Sequence, residues 1–378
     1  MRDREQVRAA FENPREFTTS PLYRCLSRTV AATDQLLDLA CLGQPGQYPT
    51  FLFFGAVHLL LLAGADHPLA RFYPSIAGQR ALPPEGAGPD LVSFGREHAA
   101  ELAATIGTRL VQTSQVQRAA GLRLGLSVIA GEVPGPVHVI EAGASAGLNL
   151  RFGRYGYRLN ERQFGDPASP VQLIADCYGP GPLPDLDRQP AIASVLGIDL
   201  HPVDAADPGE RAWLEALVWP ENQRQRALLA AALELAAADP PPLRAGDVID
   251  VLPGIAAALP GGQPRVVFHS ATRLHVPPGR LAAFDAAIER AGDTGPLWWL
   301  SIEDAPDPKS RPRSARRGPA LRLRRPGAAA AEIIAMWTGT SPGSRCARRA
   351  SGRPEPRTAG DDHGHLAVPE AVAKSMWL

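Results

Sequence analysis

One six-residue stretch divides this chain into two kinds of text. Gly131-Glu132-Val133-Pro134-Gly135-Pro136 carries two prolines and two glycines. Proline removes a backbone donor and pushes the preceding residue out of the helical region, so no regular element runs through this point. Before it, apolar residues fall at helical spacing or in dense runs: Leu36-Leu37 with Leu39-Ala40, then 51–65, Phe94 to Val111, and Val116 to Ala130. No strand is expected before Pro134. After it, short apolar runs alternate with longer amphipathic ones. Strands are expected at Val137–Ile140, Ala193–Leu200, Arg265–His269 and Leu297–Ile302, with helices at Pro208–Ala238, Val248–Leu259 and Pro277–Ala291. Such alternation argues for an α/β fold, a mostly parallel sheet with helices on both faces. Tyr155–Leu159 and Val171–Ala175, either side of Gly165-Asp166-Pro167, read as an inserted hairpin.

Three regions follow. Residues 1–132 form a helical N-terminal region, and residues 133–305 the α/β domain. Residues 306–378 read as an Arg/Pro-rich tail, either disordered or translated out of frame, because periodicity fades there beyond Leu321–Leu323 and Ile333–Trp337.

Composition excludes some partners. The 378 residues carry 39 Lys and Arg against 39 Asp and Glu, which removes the generic electrostatic case for nucleic acid or an anionic membrane. The apolar run Phe51–Ala65 is short for a membrane span and contains His58, so a buried helix with a core histidine is expected. The N-terminus lacks an apolar signal core. Cys25, Cys41, Cys177 and Cys346 are scattered, with no metal-ligand spacing, so no metal site is expected and the thiols fit a reducing cytoplasm.

The chemistry concentrates in Glu141-Ala142-Gly143-Ala144-Ser145-Ala146-Gly147-Leu148-Asn149-Leu150, directly after the first strand. Gly143 to Gly147 spells G-x-S-x-G, the nucleophile elbow of serine hydrolases. That motif belongs in mid-sheet, preceded by several strands and an oxyanion loop; here only helical text precedes it. The stretch also reads as a cofactor loop. Small residues at 142–147 let backbone amides approach a ligand, and a helix over 147–153 would aim its N-terminus at it. An acid closing the second strand, Asp199, would accept hydrogen bonds from both ribose hydroxyls. Asp247, after a third strand, is placed for adenine. His269-Ser270 would line the crevice after the fourth strand, with His269 the candidate base. Asn149 and Arg151 could meet a carboxylate; Gln112 and Arg118 are expected on a helical face closing the cleft; Glu303-Asp304 could line the substrate side.

This ordered set resembles the class I S-adenosylmethionine-dependent methyltransferases. "VIEAGASAGLN" is similar to their first motif, "VLGIDLHPVD" to the second-strand acid motif and "AGDVIDVLP" to the adenine-side motif. The resemblance implies a Rossmann-like methyltransferase-type domain binding S-adenosylmethionine through Glu141, Gly143, Ser145, Gly147, Asp199 and Asp247, with Glu141 orienting the methionine end. A small-molecule substrate is expected, since no N-P-P-[YF] follows the fourth strand. Ser145 stands in a glycine slot, and Glu141 lies farther from Asp199 than the ~20 residues usual between loop and acid. NAD binding would want G-x-G-x-x-G, and the loop has glycines only at 143 and 147. A non-catalytic nucleotide-binding protein of the same fold and a serine hydrolase using Ser145 are the alternatives. Longer pieces, among them "TSPLYRCLS", "RLVQTSQVQRAA", "EAGASAGLNLRF", "ALVWPE" and "WWLSIED", resemble a bacterial family known as a domain of unknown function, over about residues 15 to 305.

Overall fold

The structure, a computed structural model, describes residues 2–14, 16–112, 114–306 and 317–337. Eight strands form one sheet: β1 (Val137–Ala142), β5 (Cys177–Tyr178), β6 (Ile192–Asp199), β7 (Leu243–Ala245), β8 (Arg265–Ser270), β9 (Leu297–Pro306), β10 (Arg317–Arg324) and β11 (Glu332–Trp337). Their order is β5-β11-β10-β9-β8-β1-β6-β7. The five strands from β7 to β9 pair in parallel, and β10, β11 and β5 add antiparallel. The protein is a mixed α/β molecule with a large, mostly parallel sheet flanked by helices and a helical N-terminus.

Period-two alternation assigns the two faces. Val139, Val266, Phe268, Leu300 and Ile302 face helix Ala119–Ile129, whereas Ile140, Ala142 and Val267 face helices Val248–Ala257 and Leu281–Arg290. Helix Ala119–Ile129 lies close on the sheet because it offers glycine there. A Cβ at Gly121 would meet Ile302 Cδ1 at 2.3 Å, and one at Gly125 would meet Leu300 Cδ1 at 2.6 Å.

Among the described residues no strand precedes Val137. Helix Pro49–Leu62 is nearly all buried, as its unbroken apolar run demands. His58 on it is a core residue, with Nδ1 2.9 Å from the Ala216 carbonyl and Nε2 2.8 Å from Ser75 Oγ; burial pushes its pKa down to about 4. No helix among the described residues is long and apolar enough to cross a membrane. The helical core also takes in Trp213, Leu217 and Trp219, from far along the sequence. The single helix expected over 208–238 is two, Pro208–Ala216 and Gln223–Ala238, because Pro220 cannot continue a helix.

Two further expectations change. The insertion is a three-stranded sheet: β2 (Gly156–Leu159), β3 (Arg162–Gly165) and β4 (Gln172–Ala175), in the order β3-β2-β4. The hairpin joins β2 to β3, and the two segments expected to form it run parallel. Its two-residue turn is made by Asn160 at φ 54°, left-handed backbone that Asn tolerates. Residues 317–337, assigned by composition to the tail, form β10 and β11. Ala320, Leu321, Leu323, Ala335, Met336 and Trp337 are buried there, so three-residue apolar runs inside Arg-rich text are sheet interior. Residues 338–378, Cys346 included, lie outside the described residues.

Candidate functional site at the C-terminal edge of the sheet

The connection from β1 leads to β6 on one side, while β8 lies on the other. The chain direction across the sheet therefore reverses between β1 and β8, and in open α/β sheets ligands bind outside the strand C-termini at such a point. A cleft opens there. It is lined by Ser114, Gln115, Arg118, Glu141, Gly143, Ala144, Ser145, Leu148, Asn149 and Ser270, and encloses about 20 Å³, room for one water.

The loop after β1 takes left-handed backbone at alternate residues: Gly143 (φ 78°), Ser145 (φ 52°) and Gly147 (φ 66°). Ser145 thus occupies the middle of three positions that favour glycine. Glycine at 143 and 147 is demanded by packing as well. A Cβ at 143 would lie 2.5 Å from Thr272 Oγ1, and one at 147 would lie 2.6 Å from Pro241 Cγ. The loop spends its amides internally. Gly143 and Ala144 N–H donate to the Ile198 carbonyl (2.8 and 3.1 Å), and Gly147 N–H donates to that of Ala144 (2.7 Å). Ser145 N–H donates to Asp199 Oδ2 (2.8 Å). A short 3₁₀ helix, Leu148–Arg154, follows in place of the α-helix expected to point at a ligand. Four amides of the cradle read from the sequence are thus taken within the fold.

What it offers is a buried acid. Glu141 is 1% exposed, on the face of β1 opposite Ile140 and Ala142. Its Oε1 accepts from Asn149 Nδ2 (2.7 Å). Glu141 Oε2, Asn149 Oδ1 and Ser270 Oγ are buried with no hydrogen-bond partner among the described residues. Burial pushes the Glu141 carboxyl up to about 8, against the Asn149 hydrogen bond and the Arg118 charge that hold it down. Arg118 is buried too, donates to the Ser270 carbonyl (3.3 Å) and is drawn down to about 10 by desolvation. A buried polar atom without a partner costs about 1–3 kcal/mol, so three converging on one cleft mark a place for a polar guest.

The remaining expected residues divide. Asp199 closes β6 beside the loop. Besides Ser145 N–H, its carboxylate accepts from His201 N–H (2.9 Å) and Gln112 Nε2 (3.1 Å), both at Oδ1. Asp247 closes β7 but is engaged in the fold: Oδ1 caps helix Val248–Ala257 through Ile249 N–H (2.9 Å), and Oδ2 pairs with Arg280 (2.7 Å). His269 is not in the cleft lining. It lies on the other face of the sheet, between Phe284 and Trp299, with Nδ1 2.8 Å from Glu303 Oε1 and Nε2 buried without a partner. Arg151 pairs with Asp239 (3.2 Å). Arg118 does line the cleft, with Ser114 from the same stretch, whereas Gln112 is not in the lining and donates to Asp199 beside it; Gln112 and Ser114 belong to no helix. Among the described residues, Ser145 Oγ meets Ser114 Oγ (2.9 Å) and no histidine. Leu148 was not singled out from the sequence; nothing in its local pattern marks it.

Fold and site together describe an α/β protein with a ligand-type cleft at the reversal of its sheet. Residues 8–342 match the bacterial family described as "Uncharacterized protein conserved in bacteria (DUF2332)", and the chain belongs to that family. The match spans β10 and β11. Comparison with curated proteins finds no match.

Proposed function

We propose that this protein is an S-adenosylmethionine-dependent methyltransferase acting on a small molecule, with a Rossmann-like domain of the methyltransferase type. The observation that carries the reading is the buried Glu141–Asn149 pair. Glu141 Oε2 and Asn149 Oδ1 are both acceptors without donors, which suits the ammonium of the methionine end. The same lining argues against NAD. A pyrophosphate needs free amides or a helix N-terminus, and this loop spends four of its amides within the fold and is followed by a 3₁₀ turn. The three left-handed loop positions and Asp199 at the end of the second parallel strand further support the reading.

The residues of this chain fit such a group in separable ways. Glu141, on ionising, would neutralise the ammonium, Asn149 would accept a second donor from it, and Asp199 would accept from the ribose hydroxyls. The cofactor supplies an electrophilic methyl on a sulfonium, and the protein's task is to hold an acceptor in line with it. His269 lies outside the cleft lining, held at Nδ1 by Glu303 on the other face of the sheet, so the reading assigns it no role. A hydrolase reading lacks a base: among the described residues, Ser145 Oγ meets Ser114 Oγ and no base contacts it.

Isothermal calorimetry with S-adenosylmethionine, S-adenosylhomocysteine and NAD tests the proposal. Binding of both sulfur ligands, lost in Glu141→Ala, is expected. Binding of NAD alone, or labelling of Ser145 by a fluorophosphonate, overturns it.

A further inference from the structure

Asp199 carries two carboxylate oxygens with about four acceptor sites between them. Three are in use. Oδ2 takes Ser145 N–H, while Oδ1 takes both His201 N–H and the side-chain amide of Gln112. Oδ1 is therefore full, and Oδ2 has one site left. The contacts differ in kind. Ser145 and His201 donate from the backbone, at the loop and at the strand end, so they are part of the fold. Gln112 donates from a side chain that reaches in from the helical region, and the same Nε2 also donates to the His201 carbonyl at 2.7 Å.

A ligand bearing vicinal hydroxyls grips a carboxylate with one hydroxyl on each oxygen. Asp199 provides that pair of sites only after Gln112 has left Oδ1. We propose that Gln112 is a built-in competitor for the diol of the ligand: its carboxamide satisfies Asp199 in the free protein, is displaced when a ribose binds, and so sets the affinity and the selection for a ribose over a deoxyribose. The inference rests on the adenosyl-ligand reading above.

Exchange of one hydrogen bond to a charged acceptor for another leaves a net effect of about tenfold in affinity. The experiment is calorimetric titration of the full chain and of Gln112→Met and Gln112→Ala with S-adenosylhomocysteine and its 2′-deoxy analogue. Met keeps the length of the side chain and removes its donor, which separates the hydrogen bond from bulk. Both variants are expected to bind the ribose ligand roughly tenfold tighter. Neither should change affinity for the deoxy ligand by more than about twofold, since one hydroxyl needs only the site already open on Oδ2. Unfolding midpoints of the free variants, unchanged within a few degrees, show that the fold is intact. If all three proteins bind the ribose ligand equally, or both ligands gain equally, the competitor role is refuted and the cofactor reading stands. If none binds either ligand, both fall together.

Discussion

Glu141→Gln isolates the carboxyl on which the site depends. In the folded protein its proton is held until about pH 8, against an ordinary value of 4.5, and burial is the largest cause. The unfolded chain releases that proton near 4.5. Between these values the native state binds more protons at this position than the unfolded state does, so the contribution of Glu141 to stability falls as pH rises. It is fully present below about 4.5 and gone once pH has passed about 8. The whole span corresponds to roughly 4–5 kcal/mol. Glutamine has the same shape and no titration, so the difference in unfolding free energy, variant minus parent, should rise with pH. A pH-independent offset is expected because Gln puts an NH2 where the protonated carboxyl holds a hydroxyl; the slope is therefore the test. Urea unfolding of both proteins at pH 5.5, 6.5 and 7.5 should show the difference changing by about 2–3 kcal/mol in favour of the variant. A difference that stays constant within about 0.5 kcal/mol would refute the reasoning. Glu141 would then be ionised throughout, and the cleft would be wet enough to solvate it.

Other outcomes follow from the same geometry. Affinity for S-adenosylhomocysteine should rise by up to about tenfold per pH unit between 6 and 8 and then level off, with proton release on binding below 8, because Glu141 must ionise to meet an ammonium; titration in buffers of differing ionisation enthalpy checks this. Gly125→Val should destabilise the protein by about 1–3 kcal/mol, since its first carbon already meets Leu300 at 2.6 Å; the urea midpoint measures it. A chain ending at residue 306 should aggregate or melt well below the parent, because it strips β10 from β9 and bares Leu300 and Ile302; a scattering assay during refolding reads this, and an unchanged melt would mean that β10 and β11 are dispensable. Asp199→Asn should loosen the loop by about 1–3 kcal/mol, because Ser145 N–H loses a charged acceptor, and hydrogen exchange at that amide should quicken.

The elements visible in the sequence were those with a periodic pattern and a local stop signal. The Gly131–Pro136 break, the apolar run at 51–65 and the strands bearing Glu141, Asp199 and His269 all have both. β10 and β11 were hidden because their apolar positions are sparse and their exposed positions are Arg, so composition masked the alternation. The inserted sheet was misread as a hairpin because β2 and β4 are the stronger segments, while β3 holds one buried side chain, Phe164. Within the site, Glu141, Gly143, Ser145, Gly147, Asp199 and Asp247 fall where a loop and two strand ends put them. Such placement is local information.

Partners are another matter. Whether an amide faces a ligand or the Ile198 carbonyl, whether Asp247 is open or paired with Arg280, and which face of the sheet His269 takes all depend on chain segments far away in sequence. So does the reach of Gln112, from the helical region, to Asp199, 87 residues on. The sequence alone determined that a helical half precedes a strand–helix half, with an acid and a glycine-patterned loop at its first strand, because backbone preferences and apolar spacing act over a few residues. Only the tertiary structure decided what that loop and its acids touch. Burial and hydrogen-bond competition, which raise Glu141 to about 8 and bring three donors to Asp199, exist only when distant segments have been packed together.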